Sequence, residues 1–140
     1  MSSAIFWPVI GQVALVACVL LRLFFVRTSE LRSTRLRPQA FATSVTTAAA
    51  IQNVATADNF KNLFEVPVLF YAVCLALAST GTVTPAQLSL AWLFVIGRAV
   101  HSLIHVTYNR VMHRFYAYFL STLCVFAMWI LFALSLAQRG

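Results

Sequence analysis

Apolar side chains fill four blocks of this chain, and short polar stretches separate them. The first block, residues 5–25, holds about twenty apolar residues, enough to cross the hydrocarbon core of a bilayer as a helix. It lacks a basic leader and ends on Arg22 and Arg27 rather than at a small-residue cleavage site. A retained span over residues 5–26 is therefore expected, with Trp7 near one interface, rather than a cleaved signal peptide. The polar connection RTSELRSTRLRPQAF follows, and its Pro38 opposes a continuous helix. The second block starts as the Thr- and Ala-rich stretch 40–60 and becomes fully apolar over 63–77. One helix over residues 43–79 is expected, packed closely through its small residues and kinked at Pro67. STGTVTPAQ, with Gly81 and Pro85, reads as a turn. A third helix is expected over residues 85–108, and YNRVMHR after it as an interfacial turn. The fourth helix, residues 115–137, has no charged residue. Its Tyr116, Tyr118, Phe119, Phe126, Trp129 and Phe132 are expected to face lipid or to pack.

The pattern gives an all-α fold, an integral membrane four-helix bundle forming one domain over residues 1–140. Composition agrees: 61% of the residues are hydrophobic and 9% charged, against about a quarter charged in soluble domains. The net charge of +7 does not imply nucleic acid. There is one lysine, Lys61, and the arginines lie mostly between apolar blocks, as topology signals do. Arg27, Arg32, Arg35 and Arg37 crowd the first connection, Arg110 and Arg114 the third, and the second has none. Both termini are thus expected outside and both basic connections in the cytoplasm. Cys18, Cys74 and Cys124 show no metal or redox spacing and read as small packing residues.

Two rows of polar residues interrupt the apolar pattern. Arg98, His101, His105 and Tyr108 recur at spacings of three, four and three, within a sector of roughly 80° on a helix. Asp58, Asn62 and Glu65 fall within roughly 60° on the preceding helix. Ionisable groups inside a bilayer are costly and turn toward a partner, a cavity or a ligand. An ion pair of Glu65 with Arg98 is one expectation; a shared site at the cytoplasmic ends of both helices is the larger one. A metal could draw on His101, His105 and Glu65, but Arg98 one turn away opposes a cation there. A proton-coupled carrier would use Glu65 and the histidines, yet four spans are few and no repeat is apparent.

Taken together, Asn62-Leu63-Phe64-Glu65 with Pro67 following, and Gly97-Arg98-Ala99-Val100-His101 with Arg114 beyond, resemble the MAPEG family. These are the membrane-associated proteins of eicosanoid and glutathione metabolism, and the resemblance covers most of the chain. A bacterial-type member is expected, which would make the membrane the inner one. The resemblance implies a homotrimer of four-helix subunits, with glutathione as co-substrate bound between neighbours near the cytoplasmic face. By it Asn62 and Glu65 would hold the amino and peptide groups of glutathione, Arg98 would pair with Glu65 or line the pocket, and His101 would sit at its edge. Arg114 matches the arginine close to the thiol, where a cation favours the nucleophilic thiolate. Two positions depart from the family pattern. Asp58 stands where an Arg is common, which sets it on the glutathione side. His105 stands where a Tyr is usual, with Tyr108 one turn later, so these two and Arg114 are the expected thiol-side residues. The implied function is a glutathione-dependent transferase or peroxidase acting on a small hydrophobic electrophile in the bilayer. Non-catalytic binding of a lipid or amphiphile in the same cleft is the other function open to this fold.

Overall fold

A computed structural model describes residues 2–34, 55–108 and 110–139. Every regular element among them is helical. A short 3-10 turn, Ser2–Ile5, leads into α1 (Phe6–Thr34); α2 (Ala55–Asn62), α3 (Val66–Thr80), α4 (Pro85–Val106) and α5 (Val111–Ala137) follow. Four segments are long and apolar enough to span a membrane: Ser3–Ser29, Asp58–Thr80, Pro85–Val106 and Val111–Ala137. The shortest of these segments, α4, has 22 residues and rises about 33 Å, against a hydrocarbon core of about 30 Å. Large side chains such as Trp7, Phe25, Leu103 and Ile130 are exposed along these helices, as expected where the surrounding solvent is lipid. The chain is a multi-pass integral membrane protein.

The helix boundaries depart from the apolar blocks in instructive ways. α1 does not stop at residue 26 but runs to Thr34, because Arg, Glu and Leu in RTSELRST are good helix formers and the first breaker, Pro38, comes later. The stretch 43–54, expected to open the second helix, lies outside the described residues, as do Arg35 and Arg37. The expected single helix is broken rather than merely kinked: α2 ends at Asn62 and α3 begins at Val66. Pro67 explains this, since it has no N–H to give and its ring collides with the carbonyl four residues back, that of Leu63. Tight turns fill the gap, with Leu63 N–H donating to Phe60 (3.1 Å) and Phe64 N–H to Lys61 (2.9 Å).

Gly81 closes α3 in the left-handed conformation at φ 65°, which suits a residue without Cβ. Thr84 caps α4 by accepting from the Gln87 N–H at 3.2 Å, and Pro85 follows where a missing N–H costs nothing. The far end of α4 is set by Thr107. Its backbone leaves the helical region, at φ −105° and ψ −99°, so the helix ends at Val106 and not at residue 108; its hydroxyl and its N–H both donate to the Leu103 carbonyl, at 2.6 and 3.1 Å. α5 begins four residues earlier than residue 115, so that Arg114 lies in its first turn.

The core lies between α3, α4 and α5. Phe70 and Phe94 stack with centroids 4.4 Å apart, and Val73, Leu77, Ala91, Val125 and Met128 close around them. α4 and α5 approach closely at Gly97, where an added Cβ would stand 2.9 Å from that of Ser121. This contact brings the polar face of α4 against the start of α5.

Candidate functional site

Arg98, His101 and His105 are all buried, on one face of α4. They stand at spacings of three and four, and adjacent turns of a helix stack such residues. Arg98 donates from Nη2 to the main-chain carbonyl of Asn62, and its guanidinium carbon sits 5.2 Å from the centroid of the Tyr118 ring. The expected contact with Glu65 is not made. Glu65 is exposed in the break between α2 and α3 and acts on Arg98 only through space. The correction follows from Pro67: a broken helix leaves carbonyls at the end of α2 that attract a cation, and it swings Glu65 off the row.

Arg114 joins α5 to α4 at two points. Its main-chain carbonyl accepts from His101 Nδ1 at 3.0 Å, and its Nη1 donates to His105 Nε2 at 3.1 Å. A carbonyl only accepts and a guanidinium only donates, so the proton of His101 is on Nδ1, and His105 offers a lone pair at Nε2 and its proton at Nδ1. The two imidazoles lie edge to face, 5.8 Å apart, and His101 lies 5.7 Å from the Tyr118 ring. A cleft of about 210 Å³ opens beside them, lined by Asn62, His101, Val111, Arg114, Phe115 and Tyr118.

The row of four on one helix face is a row of three. Tyr108 lies beyond the end of α4, exposed, its hydroxyl 3.2 Å from His113 Nδ1. Asp58 is exposed on α2, close enough to His105 to act on it electrostatically but without contact. The structure thus brings Asn62, Arg98, His101, His105 and Arg114 together and leaves Asp58, Glu65 and Tyr108 at the surface of the single chain.

Tyr118 is the site residue that the aromatic content of the fourth helix concealed. It follows Arg114 by four residues, one turn on the same face; that spacing was the available signal. Asn59 and Ser102 were also not foreseen: Ser102 donates to Asn59 Oδ1 at 3.1 Å, tying α2 to α4 behind the cleft. Near the cleft, Arg98 Nε and Nη1, His101 Nε2 and His105 Nδ1 are buried without a hydrogen-bond partner. Unpartnered buried polar atoms cost about 1–3 kcal/mol each, and these four lie close to one another near the cleft.

The fold and this cleft define a four-span membrane protein with a cationic, imidazole-bearing pocket at one end of the bundle. The chain belongs to the MAPEG family, whose sequence profile matches residues 10–134. Members of that family include glutathione transferases and peroxidases. No curated protein and no solved structure matches the chain.

Proposed function

We propose that this protein is a glutathione-dependent transferase or peroxidase acting on a small hydrophobic electrophile held in the bilayer. One observation carries the reading: Arg98 and His105 keep buried N–H groups without partners around a cleft that Asn62, His101 and Arg114 line. Glutathione fits those donors, since it brings two carboxylates to a place rich in N–H groups and a thiol to a place rich in cations. When bound, it supplies a sulfur nucleophile.

The chain's own residues would divide the work. Arg98 presents Nε and Nη1 to a carboxylate while its Nη2 stays on Asn62. Asn62 offers its side-chain amide to the peptide groups of the ligand, and Glu65, with Asp58, meets the ammonium from the outer side. His101 holds the first turn of α5 in register through the Arg114 carbonyl. Arg114 stabilises negative charge at the thiol end, and His105 orients that guanidinium by accepting from it. Val111 and Phe115 offer an apolar wall to the electrophile. The cleft's volume of about 210 Å³ falls below the roughly 300–1,000 Å³ of complete small-ligand sites. This accords with a homotrimer in which a neighbouring subunit supplies the other wall, with both basic connections in the cytoplasm.

A second reading draws on the apolar half of the same cleft: a non-catalytic trimer that holds a lipid or amphiphile against Val111, Phe115 and Tyr118. Calorimetric titration of the purified, folded protein with glutathione separates the two. Saturable binding that Arg98→Met abolishes supports the first reading. A folded sample that takes up no glutathione overturns it and leaves the second.

A further inference from the structure

A guanidinium can stabilise negative charge on sulfur, but it only donates and cannot take the proton that a thiol gives up. Beside Arg114 a thiolate therefore needs a separate proton acceptor, or the proton must leave for bulk water. The described residues around the cleft narrow that choice. His105 has its Nε2 lone pair occupied by Arg114 Nη1 at 3.1 Å, and its proton is on Nδ1. Asp58, Glu65 and Tyr108 are exposed and none of them lines the cleft. Tyr118 lines it, but a neutral phenol is not a base near pH 7.

His101 is different. It lines the cleft and is 3% exposed, and its Nε2 is buried without a hydrogen-bond partner. Nδ1 donates to the Arg114 main-chain carbonyl at 3.0 Å, which fixes the neutral tautomer with its lone pair on Nε2. The same carbonyl suits the protonated ring, since a charged donor makes the stronger hydrogen bond. Arg114 thus gives its carbonyl to one imidazole and its guanidinium to the other, with the two ring centroids 5.8 Å apart. A thiol that meets the guanidinium is within reach of His101 Nε2, directly or through one water.

Charge sets the condition for this transfer. Arg98 and His105 from α4 and Arg114 from α5 all act on His101 electrostatically, and cations there oppose an imidazolium. Glutathione answers them with a carboxylate at Arg98 and with the sulfur anion itself. Imidazolium beside thiolate is the pairing by which a neighbouring histidine lowers a thiol pKa.

We infer that His101 is the general base that takes the glutathione proton, an assignment that rests on the glutathione reading above. His101 Nε2 gains the proton as the S–H bond breaks, and the electron pair stays on sulfur. With an epoxide as electrophile, a carbon–sulfur bond forms and a carbon–oxygen bond breaks. His101 then returns its proton to that oxygen, and the product is an alcohol.

Two counts on the full-length protein test the assignment. Calorimetric titration with glutathione at neutral pH, in two buffers of different ionisation enthalpy, gives the protons released to solution. The ultraviolet thiolate band gives the thiolates formed. The parent protein should release far fewer protons than it forms thiolates. His101→Asn keeps an N–H for the Arg114 carbonyl but has no basic nitrogen. It should show a melting transition and release a full proton for each thiolate. In stopped flow its band should form about a hundredfold more slowly, the lower end of what a general base contributes. A parent that releases a full proton per thiolate overturns the assignment and leaves the glutathione reading intact; this count decides alone if the variant does not fold. Equal proton counts and band kinetics in parent and His101→Asn would also overturn it and leave His101 a positioning residue for α5. No thiolate band in the parent would remove the assignment together with the reading it rests on.

Discussion

The buried guanidinium of Arg98 donates to the main-chain carbonyl of Asn62 and not to the carboxylate of Glu65. Asn62 is the last residue of α2, so its carbonyl is among those that a helix end leaves without an internal partner. A cation at a helix C-terminus also answers the negative end of the helix dipole. Arg98 thereby secures the break that Pro67 imposes, and the break is what carries Asn62 to the edge of the cleft.

Under the proposed function, this arrangement separates folding from ligand binding at Arg98. Arg98→Met removes a buried charge, whose burial is expensive, but also leaves the Asn62 carbonyl unpaired at a cost of about 1–3 kcal/mol. The two effects oppose, so the variant should melt within about 2 kcal/mol of the parent protein, a limit set by those same costs. Its affinity for glutathione should fall at least about tenfold, the worth of one charge-assisted hydrogen bond. Thermal unfolding and calorimetry on the same sample check both; unchanged affinity would remove Arg98 from the site.

Gly97 controls the approach of α4 to α5. Gly97→Ala forces a Cβ against that of Ser121 at 2.9 Å, and the overpacking should destabilise the bundle by about 1–3 kcal/mol. Adding Ser121→Gly removes the opposing Cβ and should return much of that loss. A double variant no more stable than Gly97→Ala would show that the contact does not set the helix spacing.

Much of the architecture was legible in the residue pattern, because hydropathy and helix length answer directly to bilayer thickness. The ends of helices were harder. Apolar blocks mark where lipid stops, whereas α4 ends where the backbone turns at Thr107 and RTSELRST stays helical in spite of its polarity. The α4 row of Arg98, His101 and His105 could be read by periodicity alone. Tyr108 could not be placed that way, since periodicity assumes a helix that Thr107 had already ended. Asp58 and Asn62 share α2 as their spacing implied, but Glu65 does not, for a similar reason: Pro67 was legible as a kink, but not that it would move Glu65 away from Arg98. Tyr118 was hidden among neighbours that differ from it only in what they face.

Glu65 is exposed in the single chain and reaches Arg98 only through space. If it meets the ligand's ammonium, Glu65→Gln should weaken glutathione binding severalfold, and Glu30→Gln, on α1, should have no comparable effect. Calorimetric titrations of the two variants decide it; equal losses would detach Glu65 from the site.

The two tyrosines near the cleft should behave differently. Tyr118→Leu removes the ring beneath Arg98, a contact worth about 0.5–2 kcal/mol, and should lower glutathione affinity correspondingly. Tyr108→Phe removes only a hydroxyl that contacts exposed His113 and should leave affinity unchanged. The reverse ranking would return Tyr108 to the chemistry and require the segment after α4 to fold over the cleft.

In the proposed function Arg114, held on His105 and carried by the first turn of α5, stabilises negative charge on the glutathione sulfur. Ultraviolet difference absorbance on adding glutathione to the purified protein at neutral pH measures this directly. The expected result is a thiolate band that saturates with glutathione and disappears in Arg114→Ala protein that still shows a melting transition. A saturable band of equal size in the parent and in Arg114→Ala, or glutathione bound with no band in the parent, would contradict it.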